Sequence, residues 1–146
     1  MRFTALLAMK TVALALLITV LAFGEPLLLG DVQTIYVGSM GQGDEAERFR
    51  MLLDEQLSDT GFTPVDDPDA ADAIMTGVLT VRVHAETSQA RATIALKSDG
   101  QRIWSGDFQP RRTWKPVKDT VRFRAQNIAK DLQKAKKKAK KKAQRR

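Results

Sequence analysis

The chain contains no cysteine and one histidine, His84. Without cysteine there can be no disulfide, no thiolate metal site, no cysteine nucleophile and no lipid-modified N-terminal cysteine. A single histidine leaves little material for a zinc site or for histidine-based acid–base chemistry. Aromatic residues make up 6% of the sequence, and acids are missing altogether from residues 134–146. What remains is an ordinary supply of aliphatics within a 43% apolar composition, slightly under the globular norm. The 146 residues suffice for one domain with short appendages.

The formal charge of +7 hides two unlike parts. Residues 134–146 hold nine basic residues; residues 25–133 hold 13 basic and 17 acidic ones, a net of −4. A mildly acidic body therefore carries a strongly basic appendage.

Arg2 and Lys10 make the start positive, Thr11–Phe23 is a run of 13 uncharged residues, and Ala22-Phe23-Gly24 places small residues where a signal peptidase reads. This is the pattern of a secretory signal over residues 1–24. The run is shorter than the ~20 residues that span a bilayer. The alternative is an inner-membrane anchor through residues 11–29, which would bury Glu25. Residues 25–32 read as a linker, 33–133 as a single α/β domain, and 134–146 as a disordered lysine-rich tail.

Within the domain, Gln33–Val37 is a short β-branched strand signal. Asp44 with Glu47 has the spacing of a capping box, and Phe49, Leu52, Leu53 and Leu57 lie on one face of a helix over 44–60. Gly61 suits the position after a helix C-terminus, with Phe62 folding back on the last turn. Thr63–Asp66 is a second strand, and strand–helix–strand implies a parallel pair. Pro68–Asp72 reads as one helical turn. The longest strand signal follows. Ala73, Met75, Gly77, Leu79, Val81 and Val83 alternate with Ile74, Thr76, Val78, Thr80, Arg82 and His84, so the first set shares the inner face.

Gln89–Lys97 and Arg102–Phe108 form a hairpin around Ser98-Asp99-Gly100. A two-residue turn would set Ala95 opposite Trp104 and take the indole off the apolar face. A three-residue loop with a left-handed Gly100 sets Ile94 opposite Trp104 and Ala90 opposite Phe108, and is preferred for that reason. Pro116 suits a helix start. Val121, Ala125, Ile128 and Leu132 give an amphipathic helix over 117–133. The stripe ends at Leu132, so the core should be complete before Lys134 and the lysines beyond should fray and add little stability. The fold class expected is α+β, an α/β two-layer sandwich in β-α-β-β-β-β-α order, a mixed sheet with two main helices packed on it.

Four phrases carry a resemblance: Tyr36-Val-Gly-Ser-Met40, Val65-Asp66, Ala71-Asp-Ala-Ile-Met-Thr-Gly77 and Gly100–Trp104. They resemble a group of small secreted bacterial proteins of unknown function with an AD-x-x-x-x-G strand motif. More loosely, residues 33–133 are similar to α/β domains of envelope-assembly proteins, the TolB N-terminal domain and the curli-secretion component's periplasmic domain. The resemblance implies a fold, an extracytoplasmic compartment and a binding or assembly role. Its motifs are structural, and it brings no catalytic residues.

Candidate sites are few. Gly38, Gly41 and Gly43 lie between strand and helix but match no phosphate-loop spacing, and Asp44, Glu45 and Glu47 would repel a phosphate. Asp66, Asp67, Asp69 and Asp72 lack calcium-loop spacing and read as caps and solvated strand ends. Asp66 and Asp107 are a carboxylate pair that could meet across the sheet. His84 is assigned no role. Trp104 and Phe108 read as core. No catalytic, cofactor or metal residue is proposed, and no cofactor or small-molecule substrate is expected. The expected function is a non-enzymatic periplasmic binding or assembly module with an unknown envelope partner. Lys134, Lys136, Lys137, Lys138, Lys140, Lys141, Lys142, Arg145 and Arg146 would contact anionic lipid or polymer. Nucleic-acid binding through the same residues is the alternative.

Overall fold

The computed structural model describes residues 28–82, 87–110 and 119–146. Five strands form one mixed sheet: β1 (Thr34–Val37), β2 (Thr63–Pro64), β3 (Ala73–Arg82), β4 (Thr87–Leu96) and β5 (Arg102–Phe108), in the order β2-β1-β3-β4-β5. Two helices, α1 (Asp44–Ser58) and α2 (Thr120–Gln144), pack on it. β1 runs parallel to β2 and β3, and the β3-β4-β5 meander is antiparallel. This is the expected α+β architecture, with the expected element order.

The alternation in β3 decides which face the helices cover. Ala73 and Met75 are fully buried, and β4 answers with Ala90, Ala92, Ile94 and Leu96. Across these lie Phe49, Leu53 and Leu57 of α1 and Val121, Ala125, Ile128 and Leu132 of α2, one continuous core. The opposite face, with Thr76, Val78, Thr80 and Arg91, is exposed. A sheet covered on one face needs the period-two pattern these strands show.

The hairpin adopts the bulged register. Ile94 pairs with Trp104 and Ala90 with Phe108, the register shifts between Ile94 and Ala95, and Gly100 takes φ 71°. Trp104 and Phe108 then close over Gly106, where an added Cβ would come within 2.7 Å of either ring. The Trp104 indole N–H donates to Asp131 of α2 at 3.3 Å.

The AD-x-x-x-x-G phrase is explained by two contacts. The Asp72 carboxylate accepts the backbone N–H groups of Gln33 and Thr34 at 2.9 and 3.1 Å, fixing the start of β1 beside β3. Five residues on, a Cβ at Gly77 would lie 2.1 Å from the Arg91 carbonyl oxygen, so β4 can approach only a glycine there.

Several boundaries differ from expectation. α1 begins after Gly43 (φ 94°), an N-cap with no side chain, so Asp44 and Glu47 fall one position inside the helix, no capping box forms, and Glu47 pairs with Arg50 at 2.7 Å. β2 is two residues long, although the Val65 N–H still donates to the Ile35 carbonyl. α2 starts at Thr120, capped by Asp119, whose carboxylate accepts the Arg122 N–H. Pro116, Trp114 and His84 lie outside the described residues.

The largest correction concerns the two ends. Residues 28–32 are not a linker: Leu29, Gly30 and Val32 are buried, Leu29 and Val32 in the core. Residues 134–144 are not disordered but continue α2 to Gln144, with Ala135 packed against the core. Lysine and alanine are strong helix formers, and Lys141 and Lys142 sit favourably at the negative end of the helix dipole. Self-repulsion among exposed lysines is too weak to undo a helix that is docked along one side.

Two measurements check this account. Trp104→Ala is expected to cost ~3–5 kcal/mol in urea unfolding, as for other buried aromatic truncations. The hydrogen bonds from Gln33 and Thr34 hold the Asp72 carboxyl below its ordinary 3.8. Its contribution is therefore complete above that value and lost as pH falls through the lower folded-state pKa. Asp72→Ala should cost about 1–3 kcal/mol at neutral pH. It should also lose less further stability than the native chain on acidification below 3.8.

Candidate anion-contacting surface

The nine basic residues of the C-terminal segment divide into one inside and eight outside. Lys136 is only 5% exposed. Its ammonium donates to the Val32 carbonyl at 2.8 Å and the Gly61 carbonyl at 2.9 Å, and stands 4.1 Å from the centre of the Phe62 ring. Burial pushes its pKa below the usual lysine value, with the nearby Lys140 adding to the effect and Asp72 opposing it. Gly61 (φ 86°) lies just past the C-terminus of α1, whose last turn has no basic residue of its own. Lys136 thus supplies from α2 the cation that the carbonyl end of α1 lacks. It is a structural lysine and does not belong among residues available to a polyanion.

The other eight, Lys134, Lys137, Lys138, Lys140, Lys141, Lys142, Arg145 and Arg146, are exposed. None takes part in a salt bridge among the described residues. Helical spacing gathers Lys134, Lys137, Lys138 and Lys141 on the side facing away from the core, while Ala135 and Ala139 face inward, half-buried. Small residues at four-residue spacing let the Leu28–Asp31 turn lie against α2. A Cβ at Gly30 would be 3.3 Å from Lys140 Cγ and 3.6 Å from the Ala139 carbonyl carbon. The alanine repeat is the sequence signal for this docking, and it extends the apolar stripe beyond Leu132. The outcome is a stiff cationic ridge in place of a loose tail.

The remaining candidates serve the fold. Asp67 accepts the Asp69 N–H and caps the short 3-10 turn Pro68–Ala70, and Asp69 pairs with Lys97 at 2.8 Å. Asp66 follows β2 while Asp107 sits on β5 beside Arg91 at 3.2 Å, so the two acids are at opposite sheet edges and do not meet. Gly41 (φ 111°) and Gly43 turn the chain between β1 and α1. Ser39, Gln42, Thr76, Val78, Arg91 and Thr93 line an open depression of about 530 Å³ on the uncovered sheet face, with no converging acids. Among the described residues no group of three or more His, Asp or Glu is placed to hold a metal ion. No helix among them is long and apolar enough to cross a membrane. Leu29 is committed to the core, so an anchor reaching residue 29 conflicts with the fold.

No protein-family model and no curated protein matches the chain. Solved structures do. A DUF4136 family protein from Bacteroides thetaiotaomicron is 12% identical with a TM-score of 0.54, over 77% of this chain and 92% of that one. A PelC dodecamer from Paraburkholderia phytofirmans is 13% identical with a TM-score of 0.53, over 75% and 93%. TolB from Acinetobacter baumannii is 9% identical with a TM-score of 0.51, over 70% of this chain but 28% of TolB. These likenesses show the fold, and the TolB-like domain expected from the sequence motifs is among them.

The inside–outside division can be tested by unfolding. Truncation after Gln133 should cost more than ~2 kcal/mol, because it orphans two carbonyls and uncovers the core beside Ala135. Replacing Lys141, Lys142, Arg145 and Arg146 by Gln should leave stability within ~0.5 kcal/mol.

Proposed function

We propose that the chain is an exported, non-enzymatic envelope module, a binding or assembly domain that holds to anionic surfaces through the exposed face of α2. The observation that carries this is the division of the lysines. One is consumed by the fold, and six exposed lysines are left on the helix, with Arg145 and Arg146 just beyond it, none with a carboxylate partner among the described residues. A rigid array loses less conformational entropy on contact than a disordered tail does. The secretory pattern of residues 1–24 and the fold shared with TolB and PelC support the compartment. Behind a signal, the available anions are phospholipid headgroups and acidic polymers. Each cation close to such a surface contributes ~1 kcal/mol at ordinary salt.

The test is co-sedimentation of the chain from Glu25 with anionic and zwitterionic vesicles. Binding is expected on the anionic vesicles alone and should fall steeply with salt, since exposed charges are screened over ~8–10 Å at physiological ionic strength. Lys134, Lys137, Lys138 and Lys141 changed together to Gln should weaken it by about tenfold or more without altering unfolding. Equal binding to both vesicle types would remove the proposal, as would tighter, salt-resistant binding to duplex DNA.

A further inference from the structure

The sheet has two unlike edges. β2 is two residues long and ends in Pro64, which has no N–H to give. β5 runs for seven residues, Arg102–Phe108, with neither proline nor lysine, the residues that commonly guard an edge. Among the described residues no strand lies beyond it. Which of its main-chain groups face outward follows from the inner ladders. The Gly77 and Leu79 N–H groups donate to the Ser39 and Met40 carbonyls at 3.0 and 2.9 Å, and the Met75 carbonyl accepts the Gly38 N–H at 2.8 Å. Odd residues of β3 thus bond toward β1 and the segment after it, and even residues bond toward β4. Carried through the pairings Val78–Arg91 and Ala92–Gly106, this alternation turns Trp104, Gly106 and Phe108 toward β4 and turns Ser105 and Asp107 outward. The bulge sits at the first end of the strand, so the outward row is regular from Trp104 on.

We propose that this edge receives β5 of a second copy of the chain, antiparallel, about a two-fold axis at Ser105 that joins the two sheets into one. Two requirements set the register. Residues directly opposite share a face of the sheet, and outward-bonding residues must meet one another. Placing Ser105 against Ser105 of the second copy meets both, with Ile103 opposite Asp107 on either side. The charges then agree. Arg102, opposite Ala95, and Asp107, opposite Arg91, are exposed on the uncovered face at the two ends of β5. Antiparallel pairing carries Arg102 of each copy to the Asp107 end of the other, whereas a parallel strand would set Arg102 beside Arg102. Arg102 takes part in no salt bridge among the described residues. Asp107 meets Arg91 at 3.2 Å and accepts the Gln109 side-chain N–H at 2.8 Å, and a carboxylate has capacity for a further donor. Ile103 and Phe108, only partly buried in one copy, gain cover. The cations of α2 stay clear of the junction. Lys136 lies against Val32 and Gly61, on the β1–β2 side, so the exposed lysines around it are carried toward the edge remote from β5. The axis is perpendicular to the sheet, which leaves both helix layers on the same side.

The lack of cysteine provides the experiment. The chain from Glu25, which keeps every described residue, is expected to show a concentration-dependent monomer–dimer equilibrium in sedimentation. Ser105→Cys lies on the axis, its Cα about 5.5 Å from that of its copy, which is inside the range a disulfide bridges. Mild oxidation should therefore link it into covalent dimers. Thr80→Cys, on β3, stands about 24 Å or more from its copy across five strand spacings and should not link. Ser105→Lys sets two ammonium groups opposite each other at an exposed position. It should raise the dissociation constant about tenfold or more and leave the urea midpoint of the dilute monomer unchanged. A dimer that links as readily through position 80, or that Ser105→Lys leaves intact, overturns the proposal. So does a chain still monomeric at about 1 mM, which would leave the edge to an extended strand of another protein.

Discussion

One buried ammonium ties the two ends of this domain together. Lys136 reaches the carbonyl of Val32, which introduces β1, and the carbonyl of Gly61, just past α1, while Phe62 closes over it. Among the described residues no carboxylate forms a salt bridge with it. The charge is instead shared among two carbonyl dipoles and a ring face, which satisfy a buried cation at lower cost than leaving it unpaired. Three segments that would otherwise end in solvent thereby acquire fixed positions: the first turn, the α1 C-terminus and the second half of α2. The exposed lysines depend on it indirectly, because the helix that carries them is docked by the one that is not exposed.

The comparison of sequence with structure divides along the same line. Period-two alternation in β3, the aliphatic face of α1 and the aromatic spacing in β5 each reported a side chain's own surroundings, and each was legible. Even the hairpin register followed, since only one loop length kept Trp104 with Ile94. The docking of the C-terminal segment was misread because a lysine-rich run is judged by its average character. The partners of Lys136 are backbone atoms 104 and 75 positions away, which leave no mark in local composition. The capping box at Asp44 fails by one position: the helix starts after Gly43, so Asp44 and Glu47 lie inside the first turn and Glu47 bonds Arg50 instead.

The surface follows from the layer arrangement. A single sheet covered on one side places its helices, and so the cations of α2, on the opposite side from the hydroxyl-rich face around Thr76 and Thr93. The two sheet edges are also unlike. β2 is two residues long and contains Pro64, which cannot donate to a neighbouring strand, whereas β5 is seven residues long. Structures sharing this fold include one solved as a dodecamer and one forming a small part of a larger protein. The fold therefore accommodates very different assemblies.

The long reach of Lys136 also sets an order on synthesis. Its two carbonyl partners are made first, and the ammonium follows 104 and 75 residues later. The core residues of α2, from Val121 to Leu132, likewise follow every strand of the sheet. A chain emerging N-terminus first has the part of its sheet that α2 covers exposed until α2 follows, and contacts of this sequence separation form slowly. The closure that stabilises the domain therefore waits for α2, which follows all five strands.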